Sequence, residues 1–173
     1  MSLAAPKSIK PKDWQSRGNP HNLLGHSIFV VDEGPANAPV ILLLHGFPTS
    51  SWDWNLIWES LKKDHRLIAL DMLGFGFSDK PNRRDYSIHQ QADIVEALVK
   101  KYQLKEFHVL AHDYGDTVAQ ELLSRQIEEN GAGCWLSCCF LNGGLFPETH
   151  IALLAQKLLL SPLGKYLNYL AGF

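Results

Sequence analysis

Apolar residues recur along this chain in two patterns that alternate from one segment to the next. Short apolar runs bounded by turn residues predict strands over residues 27–32, 40–44, 66–70, 107–111 and 135–141, and the runs at 40–44 and 66–70 are typical of buried strands. Apolar positions three and four residues apart predict helices over residues 52–61, from Ser87 onward and over residues 117–126. Because strands alternate with helices, the pattern predicts an α/β fold, with a mostly parallel sheet and helices on both faces.

The two ends of the chain depart from this pattern. Residues 1–26 are polar and contain prolines, which predicts an irregular arm that ends in a turn at Gly25 and His26. The strand that follows is predicted near a sheet edge. The C-terminal tail is rich in leucine, with breaks at Pro162 and Gly164, which predicts two amphipathic helices with uncovered apolar faces. An apolar surface of this kind is typical of an interface or of a missing remainder, so we expect self-association through this tail.

Composition excludes several classes of protein. The 173 residues are 46% hydrophobic with a net charge of −2, and no basic cluster indicates a nucleic-acid partner. No apolar run has the length of a membrane span or a signal peptide, so a cytoplasmic protein is expected. The three cysteines, Cys134, Cys138 and Cys139, lack the spacing of metal ligands and are predicted to be reduced and buried. Neither a metal nor another cofactor is expected.

The candidate chemistry lies just after the fourth predicted strand. Residues 111–115 read Ala-His-Asp-Tyr-Gly, the pattern small–x–nucleophile–x–small that places one side chain on a tight strand-to-helix turn. The central residue is Asp113, and a carboxylate is already ionised at neutral pH. Such a group attacks a carbon that carries its own leaving group and forms an ester with it. The alternative interpretation is an ordinary helix N-cap aspartate.

Three segments in order carry a family resemblance: His45–Pro48, residues 71–81 and His112–Gly115. Together they resemble the α/β-hydrolase fold, in the branch shared by epoxide hydrolases and haloalkane dehalogenases. Within that fold, residues 112–123 and 142–150 are similar to the mesoderm-specific transcript protein family. The resemblance covers about residues 25–170. It implies the N-terminal part of the fold, with an N-terminal arm at 1–26, a core at 27–146 and the beginning of a helical cap at 147–173.

The resemblance also implies roles for individual residues. Asp113 would be the nucleophile, and the backbone N–H groups of Phe47 and Tyr114 would form the oxyanion hole. The supporting loop would be His45, Gly46 and Pro48, and the supporting elbow residues would be His112 and Gly115. Tyr166 and Tyr169 fall near the place of the cap acids that protonate the leaving oxygen of an epoxide. Core packing is the competing interpretation for these two tyrosines, because leucines surround them.

Part of the family's machinery has no counterpart in the 173 residues. The family's general base is a histidine after the last strand, and none of the eight histidines fits that position. Asn142 occupies the place where some dehalogenases carry the acid. We therefore expect a chain that can form an ester and does not turn over.

The resemblance favours a small apolar epoxide as the substrate. Dehalogenases hold the halide with Asn after His-Gly and Trp after the nucleophile, and this sequence has Phe47 and Tyr114 there. Two alternatives stay open: a haloalkane or haloacid dehalogenase, and a non-catalytic binding protein of the hydrolase fold.

Overall fold

The computed structural model describes residues 7–82, 86–128, 130–144 and Gly164. The strands are β1 (Gly18–Leu23), β2 (His26–Glu33), β3 (Val40–Leu44), β4 (Arg66–Leu70), β5 (Glu106–His112) and β6 (Cys134–Leu141). The α-helices are α1 (Pro11–Gln15), α2 (Asn55–Leu61), α3 (Ile88–Lys101) and α4 (Tyr114–Ile127). A 3-10 helix, Ser51–Trp54, directly precedes α2. The predicted α/β architecture is therefore confirmed for the described residues.

The strands form a single sheet in the order β1-β2-β4-β3-β5-β6. Strands β4, β3, β5 and β6 are parallel, whereas β1 and β2 join the sheet antiparallel. The chain leaves β3 toward β4 on one side and later returns as β5 on the other side. The order of strands thus reverses at β3, and in open α/β sheets ligands bind at the carboxyl ends of the strands beside such a reversal. The candidate nucleophile, Asp113, directly follows β5 and therefore lies at this carboxyl edge of the sheet.

Two apolar layers cover the faces of the sheet. One layer packs α3 and α4 against the sheet through residues such as Ile94, Leu98 and Val118. The other layer is built on tryptophans, with Trp14 from α1 and Trp58 from α2 fully buried against the opposite face. The rings of these two tryptophans meet edge to face at 4.8 Å. Helices therefore lie on both faces, as the alternation of elements predicts.

The helix after the predicted elbow begins three residues earlier than predicted, at Tyr114. The first turn of α4 contains Gly115 and Asp116, which supply no apolar periodicity and so hide the start of the helix from the pattern. Both residues are nevertheless buried. The other long helix, α3, has Ser87 as its N-cap, because Ser87 Oγ accepts the backbone N–H of Gln90 at 3.1 Å.

The prediction of an irregular arm at residues 1–26 is wrong for the described part of that segment. Helix α1 and strand β1 form there, and β1 pairs with β2 through a two-residue turn at Leu24 and Gly25. Both turn residues have positive φ, as a two-residue hairpin requires. Strand β1 consists of polar residues, Gly and Pro, because it is the outer strand and only Leu23 is buried. Strand β2 lies one strand inside the edge, so the prediction of a strand near a sheet edge is confirmed.

The prediction of buried cysteines is also wrong. The cysteines are free thiols, but Cys134 and Cys139 are exposed and only Cys138 is half-buried. Their strand, β6, is the last strand of the sheet among the described residues, so it has a neighbour on one side only. Burial raises the pKa of the Cys138 thiol to about 11, so this thiol stays protonated at neutral pH.

Several predictions concern residues outside the described part of the chain. The cap helices and the two cap tyrosines, Tyr166 and Tyr169, belong to this group. The described residues up to Gly143 belong to one compact unit. The division into arm, core and cap remains a prediction. No helix among the described residues is both long and apolar enough to cross a membrane.

The glycine-rich loop after β4 is held by one buried carboxylate. Asp71 is fully buried, and its two oxygens accept the backbone N–H groups of Ser51 and Phe77, each at 2.7 Å. A Cβ at Gly76 would overlap the same carboxylate, so only glycine lets the loop close around it. Asp71 therefore joins this loop to the 3-10 helix that follows β3.

We expect Asp71→Asn to destabilise the protein by about 2 to 4 kcal/mol. An amide would retain one acceptor but direct its NH₂ group at a backbone N–H that needs an acceptor. The measurement is urea-induced unfolding at neutral pH. Asp79→Asn in the same loop is the matched control, since Asp79 is exposed and its carboxylate accepts the N–H of Ser27 at 2.7 Å. Equal losses in the free energy of unfolding for the two variants would contradict the proposed role of Asp71.

Candidate active site

Asp113 lies in the turn between β5 and α4, in a backbone conformation that aspartate rarely adopts. Its φ is 51° and its ψ is −112°, which places it outside the regions favoured for residues with a Cβ. The backbone N–H of Asp113 donates to Leu141 O at 3.0 Å, so the end of β6 helps to hold this turn. Such a turn raises the side chain above the edge of the sheet, which is the geometry expected from the five-residue motif.

The carboxylate of Asp113 does not cap the helix that begins after it. No hydrogen bond joins this side chain to the first turn of α4. Instead, Asp113 Oδ1 accepts the backbone N–H of Phe47 at 2.8 Å. This contact crosses from β5 to the loop after β3 and connects residues 66 positions apart. The geometry therefore disagrees with the alternative interpretation of Asp113 as an ordinary N-cap.

Two glycines allow the elbow and the loop after β3 to approach each other. A Cβ at Gly46 would lie 2.7 Å from Asp113 Cβ and 2.9 Å from His112 Nδ1. A Cβ at Gly115 would overlap the carbonyl oxygen of Leu44, so α4 can pack on the end of β3 only without a side chain there. These two close approaches bring the Phe47 N–H within hydrogen-bonding distance of Asp113.

His45 is fully buried below this loop, and both of its ring nitrogens are occupied. Nε2 accepts the backbone N–H of Met72 at 2.9 Å, which requires Nδ1 to carry the proton. Nδ1 then donates to Gly46 O at 2.8 Å. The neutral ring thus connects the loop after β3 to the loop after β4, and burial lowers the pKa of His45. The peptide between Phe47 and Pro48 in this loop is cis.

We expect His45 to make folding stability depend on pH. Its pKa is lowered in the folded state, so the unfolded chain binds more protons and the contribution of His45 is complete above its ordinary pKa of about 6.5. That contribution is lost as the pH falls toward the lowered pKa. The slope cannot exceed about 1.4 kcal/mol per pH unit for one proton.

The measurement is the free energy of unfolding of wild type and of His45→Gln between about pH 8 and pH 5.5. Glutamine does not titrate, so the difference between the two proteins should shrink as the pH falls. His89→Gln serves as the control because the His89 side chain is largely exposed, with 75% accessibility. A difference that stays constant over this range would show that His45 does not titrate on unfolding.

The other elbow residues pack around the turn. The His112 ring lies against Trp54, with ring centroids 6.3 Å apart. Asp116, which the sequence analysis did not single out, is fully buried in the first turn of α4, and its Oδ1 accepts Leu141 N–H at 3.4 Å. Burial is the main reason that the pKa of Asp116 is raised. An acidic residue in a first helical turn is typical of a surface position that favours the helix dipole, so the burial of Asp116 could not be predicted from its place in the sequence.

An aromatic cluster includes Phe47, whose backbone N–H binds the Asp113 carboxylate, and Tyr114, which follows Asp113 in the chain. The ring of Phe75, from the glycine-rich loop, lies 6.2 Å from the ring of Phe47 and 5.8 Å from the ring of Tyr114. Phe47 is 62% exposed, whereas Phe75 and Tyr114 are partly buried. Sequence reasoning missed Phe75, because a phenylalanine among glycines in a loop has no periodic partner. Its role depends on contacts that only the folded chain creates.

The described residues supply an anionic side chain and a backbone donor at this site, but no base beside them. His45 uses both nitrogens in the scaffold, and the His112 ring packs on Trp54. No group of three or more His, Cys, Asp or Glu side chains among the described residues could hold a metal ion. The arrangement can therefore present a carboxylate to an electrophile, with its Oδ1 bound to a backbone N–H.

A carboxylate on a strand–turn–helix elbow, at the carboxyl edge of a mostly parallel sheet, is the arrangement of a hydrolase of the α/β class. A family model described as the alpha/beta hydrolase fold matches residues 39–161. The chain belongs to this family.

The relatives agree with this assignment. The chain is 52% identical over 163 residues to the mesoderm-specific transcript homolog protein of Bos taurus, a match that covers 89% of this chain and 48% of that protein. It therefore spans about half the length of the curated relatives it matches.

Solved structures also resemble the chain. The haloalkane dehalogenase DbeA from Bradyrhizobium elkani superposes with a TM-score of 0.65 and 28% identity, covering 73% of this chain and 41% of that protein. An epoxide hydrolase from metagenomes of hot environments superposes with a TM-score of 0.65 and 28% identity, and the match covers 73% of this chain and 42% of the epoxide hydrolase chain.

Proposed function

We propose that Asp113 is a nucleophile that forms an alkyl ester with a small apolar epoxide. One observation carries this proposal: the carboxylate stands on the elbow without capping α4 and is bound by the backbone N–H of Phe47. A structural aspartate at a helix start would satisfy the helix's own N–H groups. The Asp113 side chain accepts none of these N–H groups and binds the N–H of Phe47 in the loop after β3 instead.

The two oxygens of Asp113 have different roles in this reaction. Oδ1 is bound to Phe47 N–H, so Oδ2 attacks a carbon of the epoxide ring. The carbon–oxygen bond of the ring breaks, and the alkoxide takes a proton from water. Oδ1 becomes the ester carbonyl oxygen, already beside the N–H that would stabilise its negative charge when water attacks the acyl carbon. The N–H of Tyr114, at the start of α4, is the second donor in this proposal.

Completion of the reaction needs a general base to activate that water. Among the described residues, the two histidines nearest in the chain to the loop and the elbow are engaged elsewhere, as shown above. The 173-residue chain is therefore proposed to stop at the ester. The relatives with the same fold are about twice as long.

Epoxide opening fits the site better than release of a halide. A halide leaving group needs polar donors, and at the two positions implied by the resemblance the chain carries Phe47 and Tyr114. The Phe47 ring has no donor, and the Tyr114 hydroxyl contacts the side chain of Gln91, which is itself buried. The haloalkane dehalogenase named above is similar to this chain in fold, but these two positions differ from the pattern that halide binding requires.

We expect incubation with an excess of phenyloxirane to add the mass of one epoxide to the protein, at Asp113. Intact-mass spectrometry followed by peptide mapping gives both the stoichiometry and the position. Peptide mapping of Asp113→Asn should find no adduct at position 113, because a neutral amide is a poor nucleophile. Asp64→Asn is the control, since Asp64 is an exposed carboxylate away from the elbow.

The same experiment separates the competing interpretations. An adduct with 1-bromohexane but with no epoxide would favour a dehalogenase. Absence of any adduct, with both variants folded by circular dichroism, would favour a non-catalytic binding protein of the hydrolase fold. Equal labelling of wild type and Asp113→Asn would contradict the role of Asp113.

We further expect the ester to accumulate without turnover. Because a base is missing from the described site, the adduct should persist at neutral pH, and no diol should be released beyond the amount of protein. Quantification of the diol by gas chromatography, over many hours and with epoxide in excess, tests this. Steady release of diol above one equivalent per chain would show that the 173 residues hold a complete catalytic site.

A further inference from the structure

We propose that Phe75 determines substrate specificity at Asp113, by binding a planar, unsaturated group next to the carbon that is attacked. This inference rests on the proposed function and names the class of substrate: aryl-substituted epoxides in preference to saturated ones. Phe75 has no part in the bond-making step. It would act through contact with the substituent that the epoxide carries.

Phe75 lies between the two residues that flank the carboxylate. The backbone N–H of Phe47 binds Asp113 Oδ1, and Tyr114 follows Asp113 in the chain. The rings of both residues contact the ring of Phe75, with centroids 6.2 Å and 5.8 Å apart. We call Phe47, Phe75 and Tyr114 the aromatic wall. Phe47 binds the carboxylate through its backbone N–H, and Tyr114 is bonded to Asp113. We therefore place the substituents of a substrate carbon within reach of Asp113 beside this wall.

The wall is held in place rather than free to collapse. The Phe75 ring meets the buried His45 ring edge to face at 5.3 Å, and His45 is fixed by two hydrogen bonds. The Phe47 and Phe75 rings stand at 90° to each other, so they cannot stack and hide each other's faces. The 62% exposure of Phe47 leaves apolar ring surface accessible to a ligand. A ligand ring can therefore add one more aromatic contact to an existing set.

The wall also lacks polar groups directed at the substrate. Phe47 and Phe75 have none, and the Tyr114 hydroxyl contacts Gln91, whose amide nitrogen also donates to Leu73 O at 2.8 Å. Aromatic pairs prefer edge-to-face or offset arrangements and contribute about 0.5 to 1.5 kcal/mol beyond the burial of area. A phenyl substituent gains this contribution, and a cyclohexyl substituent of the same carbon skeleton gains only the burial.

The test compares phenyloxirane with cyclohexyloxirane, which share a carbon skeleton and differ in unsaturation. The purified chain is given both epoxides together, and the initial rates of the two Asp113 adducts are measured by intact-mass spectrometry. The ratio is divided by the ratio for uncatalysed reaction of the two epoxides with acetate, which corrects for intrinsic reactivity. We expect the corrected ratio to favour the phenyl epoxide by about threefold to tenfold, the range of one aromatic pair.

Phe75→Leu should bring the corrected ratio close to one, because leucine keeps apolar volume but has no ring. Phe77→Leu is the matched control from the same loop, since the Phe77 ring packs on Phe29 at 5.2 Å and not on the wall. It should leave the ratio unchanged. Thermal unfolding of both variants identifies any loss of fold, and the ratio is interpreted only for variants that remain folded.

The outcomes distinguish failure of this inference from failure of the proposed function on which it rests. Adducts that form at Asp113 with a corrected ratio near one, or with the same ratio in Phe75→Leu and wild type, overturn the aromatic wall alone. Absence of both adducts overturns the proposed function. In that case ligand-observed NMR with 2-phenylethanol and 2-cyclohexylethanol still tests the wall. Binding of the phenyl alcohol that Phe75→Leu weakens supports it, and equal binding of the two alcohols overturns it.

Discussion

The contact between the elbow and the loop after β3 is the constraint on which the site depends. Its centre is the hydrogen bond from Phe47 N–H to Asp113 Oδ1, and it forms only because Gly46 and Gly115 carry no side chain. Without those close approaches, the carboxylate would stand at the start of α4 with the helix as its nearest source of donors, and it would behave as an ordinary cap. One pair of glycines thus decides which backbone N–H group binds the carboxylate.

The loops around that contact are held by buried polar groups that take no part in the proposed chemistry. Neutral His45 connects the loop after β3 to Met72, and Asp71 connects the 3-10 helix to the glycine-rich loop. Buried groups of this kind cost free energy unless their hydrogen bonds are complete, and those of His45 and Asp71 are formed with the backbone. The same arrangement presents Phe75 beside the elbow, so the scaffold and the aromatic wall depend on common anchors.

The sequence and the structure agree best where burial is two-sided. Strands β3 and β4 match their predicted bounds, because their apolar runs face a helix layer on each side and leave no ambiguity of pattern. The prediction and the structure disagree at the edges of the sheet. Polar β1 pairs through its backbone, so its side chains gave no strand signal, and β6 has an apolar sequence although its cysteines are mostly exposed. An edge strand is defined by having a neighbouring strand on one side only, and local composition does not reveal which strands are neighbours.

The sequence by itself determined the alternation of strands and helices, the elbow motif at Asp113 and the family resemblance, because these depend on residue type and spacing along the chain. Only the tertiary structure decided what the Asp113 carboxylate binds, since its donor comes from a residue 66 positions away. The same holds for the burial of Asp116 and for the ring contacts of Phe75. Hydrogen bonds and ring contacts act over a few ångströms in space, and the order of strands in the sheet brings together residues that are distant in the chain.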